Sequence, residues 1–215
     1  MAKKLIYFVR HGETENNAKN IRQGSEGPLS EKGRAQALET AKRFPKNKGC
    51  PQAIIASPYE RTKETAGIIG KELNMNVEYS DLLMERRNPT DIIGHEGKER
   101  NVRQIVDYID NSFHDDNLRY ADEENFVDLK ERAKKLLAYI LERPEERMIM
   151  VTHKIFLRMV VSYMLLGEKL TASEYNNLSY LNPINNASMA ICSCTTHFFK
   201  EPEWKLLIWN DLEEK

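Results

Sequence analysis

The stretch Leu5-Ile6-Tyr7-Phe8-Val9-Arg10-His11-Gly12-Glu13 decides how the chain is read. Its first five residues are apolar, aromatic or β-branched, the composition of a buried strand. The run ends abruptly on a guanidinium, an imidazole and a glycine. In an α/β sheet the loop just past a strand's carboxyl end is where ligands sit. Gly12 lets the backbone turn tightly or approach a ligand. Arg10 offers a planar fork of donors suited to phosphate or carboxylate. His11 can act as nucleophile, base or metal ligand near neutral pH. A strand followed by an ordinary polar turn has the same local signature, so the rest of the chain must decide.

Working outward, the same arrangement recurs. Ala53-Ile54-Ile55-Ala56-Ser57 is a second short strand. Pro58 is read at the first position of the following helix, where proline is tolerated. That helix places Thr62, Thr65, Ala66, Ile69 and Leu73 on one face and Arg61 in its first turn, at a potential anion site; alone, Arg61 reads better as a surface arginine near a helix start. Val77 to Met84 reads as a third strand, ending on Glu85-Arg86-Arg87. Met148-Ile149-Met150-Val151-Thr152-His153 is a fourth, again ending on histidine. The helix after it, Lys154 to Leu166, is apolar almost all round and is expected to be buried. Ser188–Cys194 and Leu206–Trp209 read as strands toward a sheet edge. Ser30 caps a helix carrying Ala37, Leu38, Ala41 and Phe44, and Leu129, Ala133, Leu136 and Ile140 mark another. Strands alternating with helices specify an α/β layered fold.

Residues 88–128 are polar, with Val102, Ile105, Val106, Ile109 and Phe113 at helical spacing and an acidic stretch from Asp110 to Asp128. They are read as a helical insertion of about 88–128 in a single domain spanning 1–215, positioned to cover a site. A solvated helical excursion with no catalytic part is the alternative. The 32 basic and 33 acidic residues balance, without the basic stripe of a nucleic-acid or membrane-surface protein. No apolar run reaches membrane-spanning length. The N-terminal apolar run carries Arg10 and His11 and so does not read as a leader. Together with three cysteines, Cys50, Cys192 and Cys194, this points to a cytoplasmic protein with structural thiols. His11, His95, His114, His153 and His197 lack metal-ligand spacing, so no metal is expected, and the reading calls for no cofactor.

Arg10-His11, Arg61, Glu85 and His153 thus each sit at or near a strand end. In a mostly parallel sheet these ends converge on one edge. The motifs resemble the histidine phosphatase superfamily, in its phosphoglycerate mutase-like branch. The resemblance is carried by Arg10-His11-Gly12-Glu13-Thr14 with Asn17, by Gln23-Gly24 with Pro28-Leu29-Ser30 and Gly33, by Ser57-Pro58-x-x-Arg61-Thr62 with Thr65-Ala66, by Glu85, and by Thr152-His153 with Arg158. It implies a three-layer α/β sandwich with a mostly parallel central sheet flanked by helices. It implies that His11 becomes a phosphohistidine that water hydrolyses, that Arg10, Arg61 and His153 surround the phosphoryl oxygens, and that Glu85 serves as acid and then base. Asn17, Gln23, Gly24, Arg86 and Lys154 are the expected substrate contacts.

Physically, positioning and charge stabilisation dominate phosphoryl transfer. Arginines near His11 keep it neutral and nucleophilic. Glu85 is expected to need burial to hold a proton, against which Arg86 and Arg87 work unless they point away. The chain departs from the family at Lys154-Ile155, where two glycines are usual, at the Gly24–Pro28 loop, which lacks an aspartate, and after Glu85, where Arg86-Arg87-Asn88-Pro89 replaces the mutases' Arg-His-Tyr-Gly. These departures favour a metal-independent phosphomonoesterase releasing inorganic phosphate from a small phosphorylated metabolite. A cofactor-dependent phosphoglycerate mutase and a non-catalytic phospho-ligand-binding module are the alternatives. A homodimer is compatible with the sequence, which carries no signal for or against it.

Overall fold

The computed structural model describes residues 2–47, 49–113, 118–181, 183–197 and 200–212. Strand β1 spans Ala2–Arg10, and Ile6, Tyr7, Phe8 and Val9 are buried. Burial on both faces explains why this stretch is continuously apolar instead of alternating. Strand β4 (Arg147–Thr152) runs parallel beside it, with Arg10 opposite Thr152. Strand β2 (Ala53–Ala56) pairs in parallel with β4, and β3 (Val77–Tyr79) with β2. On the other flank β5 (Met189–His197) is antiparallel to β1, and β6 (Lys200–Asp211) is antiparallel to β5. The sheet order is β3-β2-β4-β1-β5-β6. The parallel centre therefore brings the carboxyl ends of β1, β2 and β4 to one edge.

The two faces of β1 feed two helical layers, because successive side chains alternate across a strand. Tyr7 and Val9 pack with Ala41 and Phe44, at the end of α2 (Glu31–Lys42), and with Ala66 and Ile69 of α3 (Glu60–Leu73). Ile6 and Phe8 pack with Leu136 and Ile140 of α5 (Phe126–Glu142) and with Phe156 and Val160 of α6 (Lys154–Leu166). This is the three-layer α/β sandwich that the sequence implies. Cys192 and Cys194, two residues apart on β5, share one buried face, whereas Cys50, read with them as a structural thiol, is exposed.

Local chemistry sets the boundaries. A short helix α1 (Glu15–Ala18) carries a reciprocal cap between Thr14 and Asn17. Ser30 accepts from the Gly33 N–H at the start of α2. Asn125 and Asp128 form the same reciprocal cap on α5. A helix α4 (Arg100–Ser112) occupies the polar segment, with Val102 and Ile109 of its apolar stripe and the adjoining Phe113 buried. That segment is also stitched to the loop after β1: Arg22 N–H donates to the His95 carbonyl and Gly94 N–H to the Arg22 carbonyl.

Three expectations need correction. The third strand is short, ending at Tyr79 and giving way to a 3-10 turn over Asp81–Leu83, because the Ser80 hydroxyl accepts from Leu82 N–H and competes with strand pairing. Pro58 lies before the helix, which starts at Glu60 after Tyr59. Leu38 is exposed, so it does not belong to the buried stripe of α2. A further helix, α7 (Ala172–Leu181), follows α6 in a stretch for which the sequence carries no assigned element. His114 and residues 115–117 of the acidic stretch lie outside the described residues. No helix among those described is long and apolar enough to cross a membrane.

Candidate active site

His11 follows directly on β1 and is 4% exposed. Its backbone is fixed on both sides: its N–H donates to the Thr152 carbonyl, and its own carbonyl accepts from Ala187 N–H and Asn186 Nδ2. The ring Nδ1 lies 2.7 Å from the Gly12 carbonyl oxygen. A carbonyl only accepts, so Nδ1 carries the proton and Nε2 presents its lone pair whenever the ring is neutral. His153 stands at the N-terminus of α6 and is fully buried. The two imidazole centroids are 5.2 Å apart. His153 Nε2 lies 2.9 Å from Ser57 Oγ, and the Tyr59 ring packs against it at 5.1 Å.

Arg10 and Arg61 are each anchored by one donor to a backbone carbonyl. Arg10 Nη1 donates to Ile184 and Arg61 Nη1 to Gly24, both at 2.8 Å. Arg61 also lies over the Tyr59 ring, 5.0 Å from its centroid. Burial, then the Arg61 charge, then Arg10, hold the His11 ring well below the usual imidazole range. His153 is lowered in the same way, by burial first and Arg61 next. Burial lowers Arg10 to about 10, with Glu85 opposing the shift. Arg10 Nε, Arg61 Nε and His153 Nδ1 are buried without a hydrogen-bond partner. Buried polar groups normally have one, and a bound oxyanion would supply it.

Glu85 is half-buried, not the buried carboxyl that was expected. Its carboxylate accepts from three backbone N–H groups: Arg86 and Phe156 on Oε1 and Ile155 on Oε2. Two of these belong to the first turn of α6, where a helix favours negative charge. The feared neighbours do turn away. The Arg86 side chain lies toward Asp110 and over the Phe113 ring, and Arg87 Nε donates to the Asp122 carbonyl. The backbone at Met84 and Glu85 is held by Arg132, which donates to both carbonyls, pairs with Glu124 at 2.7 Å and stacks 3.9 Å above Phe156.

The other expected contacts divide. Asn17 Oδ1 accepts from Thr14 N–H and from Asn186 Nδ2, beside His11. Gln23 Oε1 accepts from the Thr14 hydroxyl, and Gly24 acts through its carbonyl on Arg61. Lys154 and Arg86 line a cavity alongside, together with Arg22 and Arg158. Sequence reasoning did not assign roles to Ser57, Asn186 or Arg132. Ser57 lies within a quoted motif, but Asn186 and Arg132 reach the site across 175 and 47 residues, with no local signal. Among the described residues no group of three or more His, Cys, Asp or Glu side chains is placed to hold a metal.

This geometry can be set against known proteins. A relative in Escherichia fergusonii named "Probable phosphoglycerate mutase GpmB" is 37% identical over 175 residues, covering 74% of each chain. Its namesake in Salmonella arizonae is 35% identical over 169 residues, again covering 74% of each. In three dimensions the chain is similar to the mycobacterial glucosyl-3-phosphoglycerate phosphatase solved with VO3, with TM-score 0.78, 24% identity and coverage of 96% and 99%. It is also similar to a phosphoserine phosphatase from Entamoeba histolytica, with TM-score 0.73, 21% identity and coverage of 98% and 97%. The sequence profile of the histidine phosphatase superfamily, branch 1, matches residues 6–211. With that match running through every strand that supports the two imidazoles, the chain belongs to the histidine phosphatase superfamily.

Proposed function

We propose that the chain is a metal-independent phosphomonoesterase that works through a phosphohistidine on His11 and releases inorganic phosphate from a small phosphorylated metabolite. The reading rests on one juxtaposition: a buried imidazole with its Nδ1 proton committed to Gly12, beside His153, Arg10 and Arg61. In the first half-reaction His11 Nε2 attacks phosphorus as the ester P–O bond breaks, and Glu85 relays the proton carried by the phosphomonoester monoanion to the leaving oxygen. In the second, water attacks the phosphohistidine, its proton passes to Glu85, and phosphate leaves with His11 restored. Two half-reactions ease a difficult single displacement. Arg10, Arg61 and His153 stabilise the charge on the transferring group, where fixed donors are worth most. The described parts of the insertion, residues 88–113 and 118–128, are proposed to cover this edge of the sheet.

His11→Ala should abolish turnover of an aryl phosphate, and the native chain quenched during turnover should carry a phosphoryl group mapped to His11 by mass spectrometry. Full activity in the variant would sink the proposal. The relatives' name supports a second reading, a phosphoglycerate mutase. Supplying 3-phosphoglycerate with a bisphosphoglycerate primer separates the two. Isomerisation faster than phosphate release reverses the order of preference.

A further inference from the structure

A cavity of about 680 Å³ opens next to the start of α6. Lys154 and Ile155, which directly follow His153, form part of its wall. Among the described residues four cations line it, Arg22, Arg86, Lys154 and Arg158, against one carboxylate, Asp110. Asp110 does little to balance them: its side chain is 63% exposed and stands 3.8 Å from Arg86. The Nε atoms of Arg22 and Arg158 are buried and without a hydrogen-bond partner. Burial and the Arg158 and Arg10 charges lower the Lys154 ammonium, so the cations in and beside the cavity repel one another. Lys154 is itself exposed at the mouth of the cavity, and an anion bound among these groups would relieve their mutual repulsion. Phe113 and Tyr175 supply apolar walls between the charges. The volume falls within the range of roughly 300–1,000 Å³ that encloses whole drug-sized ligands. A three-carbon phosphate fills only a fraction of it.

Resting on the phosphomonoesterase reading, we infer that this cavity is a second anion subsite, and that the substrate is a phosphomonoester carrying a distant acidic group on a scaffold longer than three carbons. Lys154 is the residue through which this chain departs from the usual glycine after the second histidine. It places a charge where the far end of such a substrate passes. The departure is thereby a specificity device and not a defect in the phosphate pocket.

Two matched pairs of esters test this, each exchanging a carboxylate for a hydroxymethyl group at constant length. They are 6-phosphogluconate with sorbitol 6-phosphate, and 3-phosphoglycerate with glycerol 3-phosphate. The expected kcat/KM ratio, acid over neutral, is about 10- to 100-fold in the six-carbon pair, the scale of hydrogen bonds to a charged group. It is several-fold smaller in the three-carbon pair. Lys154→Met should lower the six-carbon ratio about tenfold, and because a ratio is read, general loss of activity cancels. A six-carbon ratio near one, or a three-carbon ratio as large, overturns the inference. Calorimetric Kd values for the same four esters supply the same ratios if no ester turns over. Failure of the phosphatase reading is then distinguishable from failure of the subsite.

Discussion

At the scale of single residues, the two imidazoles are kept neutral by their surroundings. His11 and His153 are both lowered well below 6.5, the value they regain on unfolding, by burial first and Arg61 next. The sign follows from proton linkage. Below pH 6.5 the unfolded chain binds protons that the folded chain refuses, so stability is full above 6.5 and is lost as pH falls toward the lowered folded values. The melting temperature should therefore fall between about pH 6.5 and 5.5, and His153→Gln should fall less steeply over the same window. Equal slopes in the two proteins would remove these rings as the cause. His11 is expected to contribute no inflection to the rate near 6.5 on the same ground, because this proposed nucleophile remains unprotonated there.

At the scale of elements, the loop after β1 and the start of α2 pass so closely that two glycines are obligatory. A Cβ added at Gly33 would stand 2.0 Å from the Glu13 carbonyl oxygen, and one at Gly12 would stand 2.4 Å from that of Gly33. Both contacts are to backbone, which cannot swing aside as a flexible side chain would. Gly33→Ala should cost about 1–3 kcal/mol in urea unfolding, the scale of overpacking a tight site. It should also depress kcat, since the displaced backbone is the one carrying His11. Wild-type stability in this variant would show that the two segments separate easily. Helix α6 has a matching double duty. Its buried face, Phe156, Leu157 and Val160, anchors it in the core, while its first-turn N–H groups hold Glu85.

At the scale of the whole molecule, charge is distributed unevenly. The net formal charge is −1, yet Arg10, Arg61 and the four cations of the adjoining cavity gather at one edge of the sheet. A local positive field on a near-neutral molecule draws in anionic substrates and is screened by salt. The KM for an anionic phosphomonoester should rise several-fold between about 0.02 and 0.5 M sodium chloride, with kcat moving less. A KM insensitive to salt would show that attraction reaches no further than direct contact.

The sequence by itself determined the alternation of strands and helices, the parallel core, and the strand-end positions of His11, Arg61 and His153. These depend on local periodicity and on motifs within a few residues, which the order of side chains alone encodes. Tertiary structure decided the rest. That Glu85 is held by the first turn of α6, that Arg132 holds its backbone, that Asn186 reaches the loop of His11, and that Lys154 joins Arg22, Arg86 and Arg158 around one cavity are facts of packing between segments far apart in the chain. No local pattern specifies such contacts, because a side chain's hydrogen-bond partner and the water it loses are settled only when the layers close.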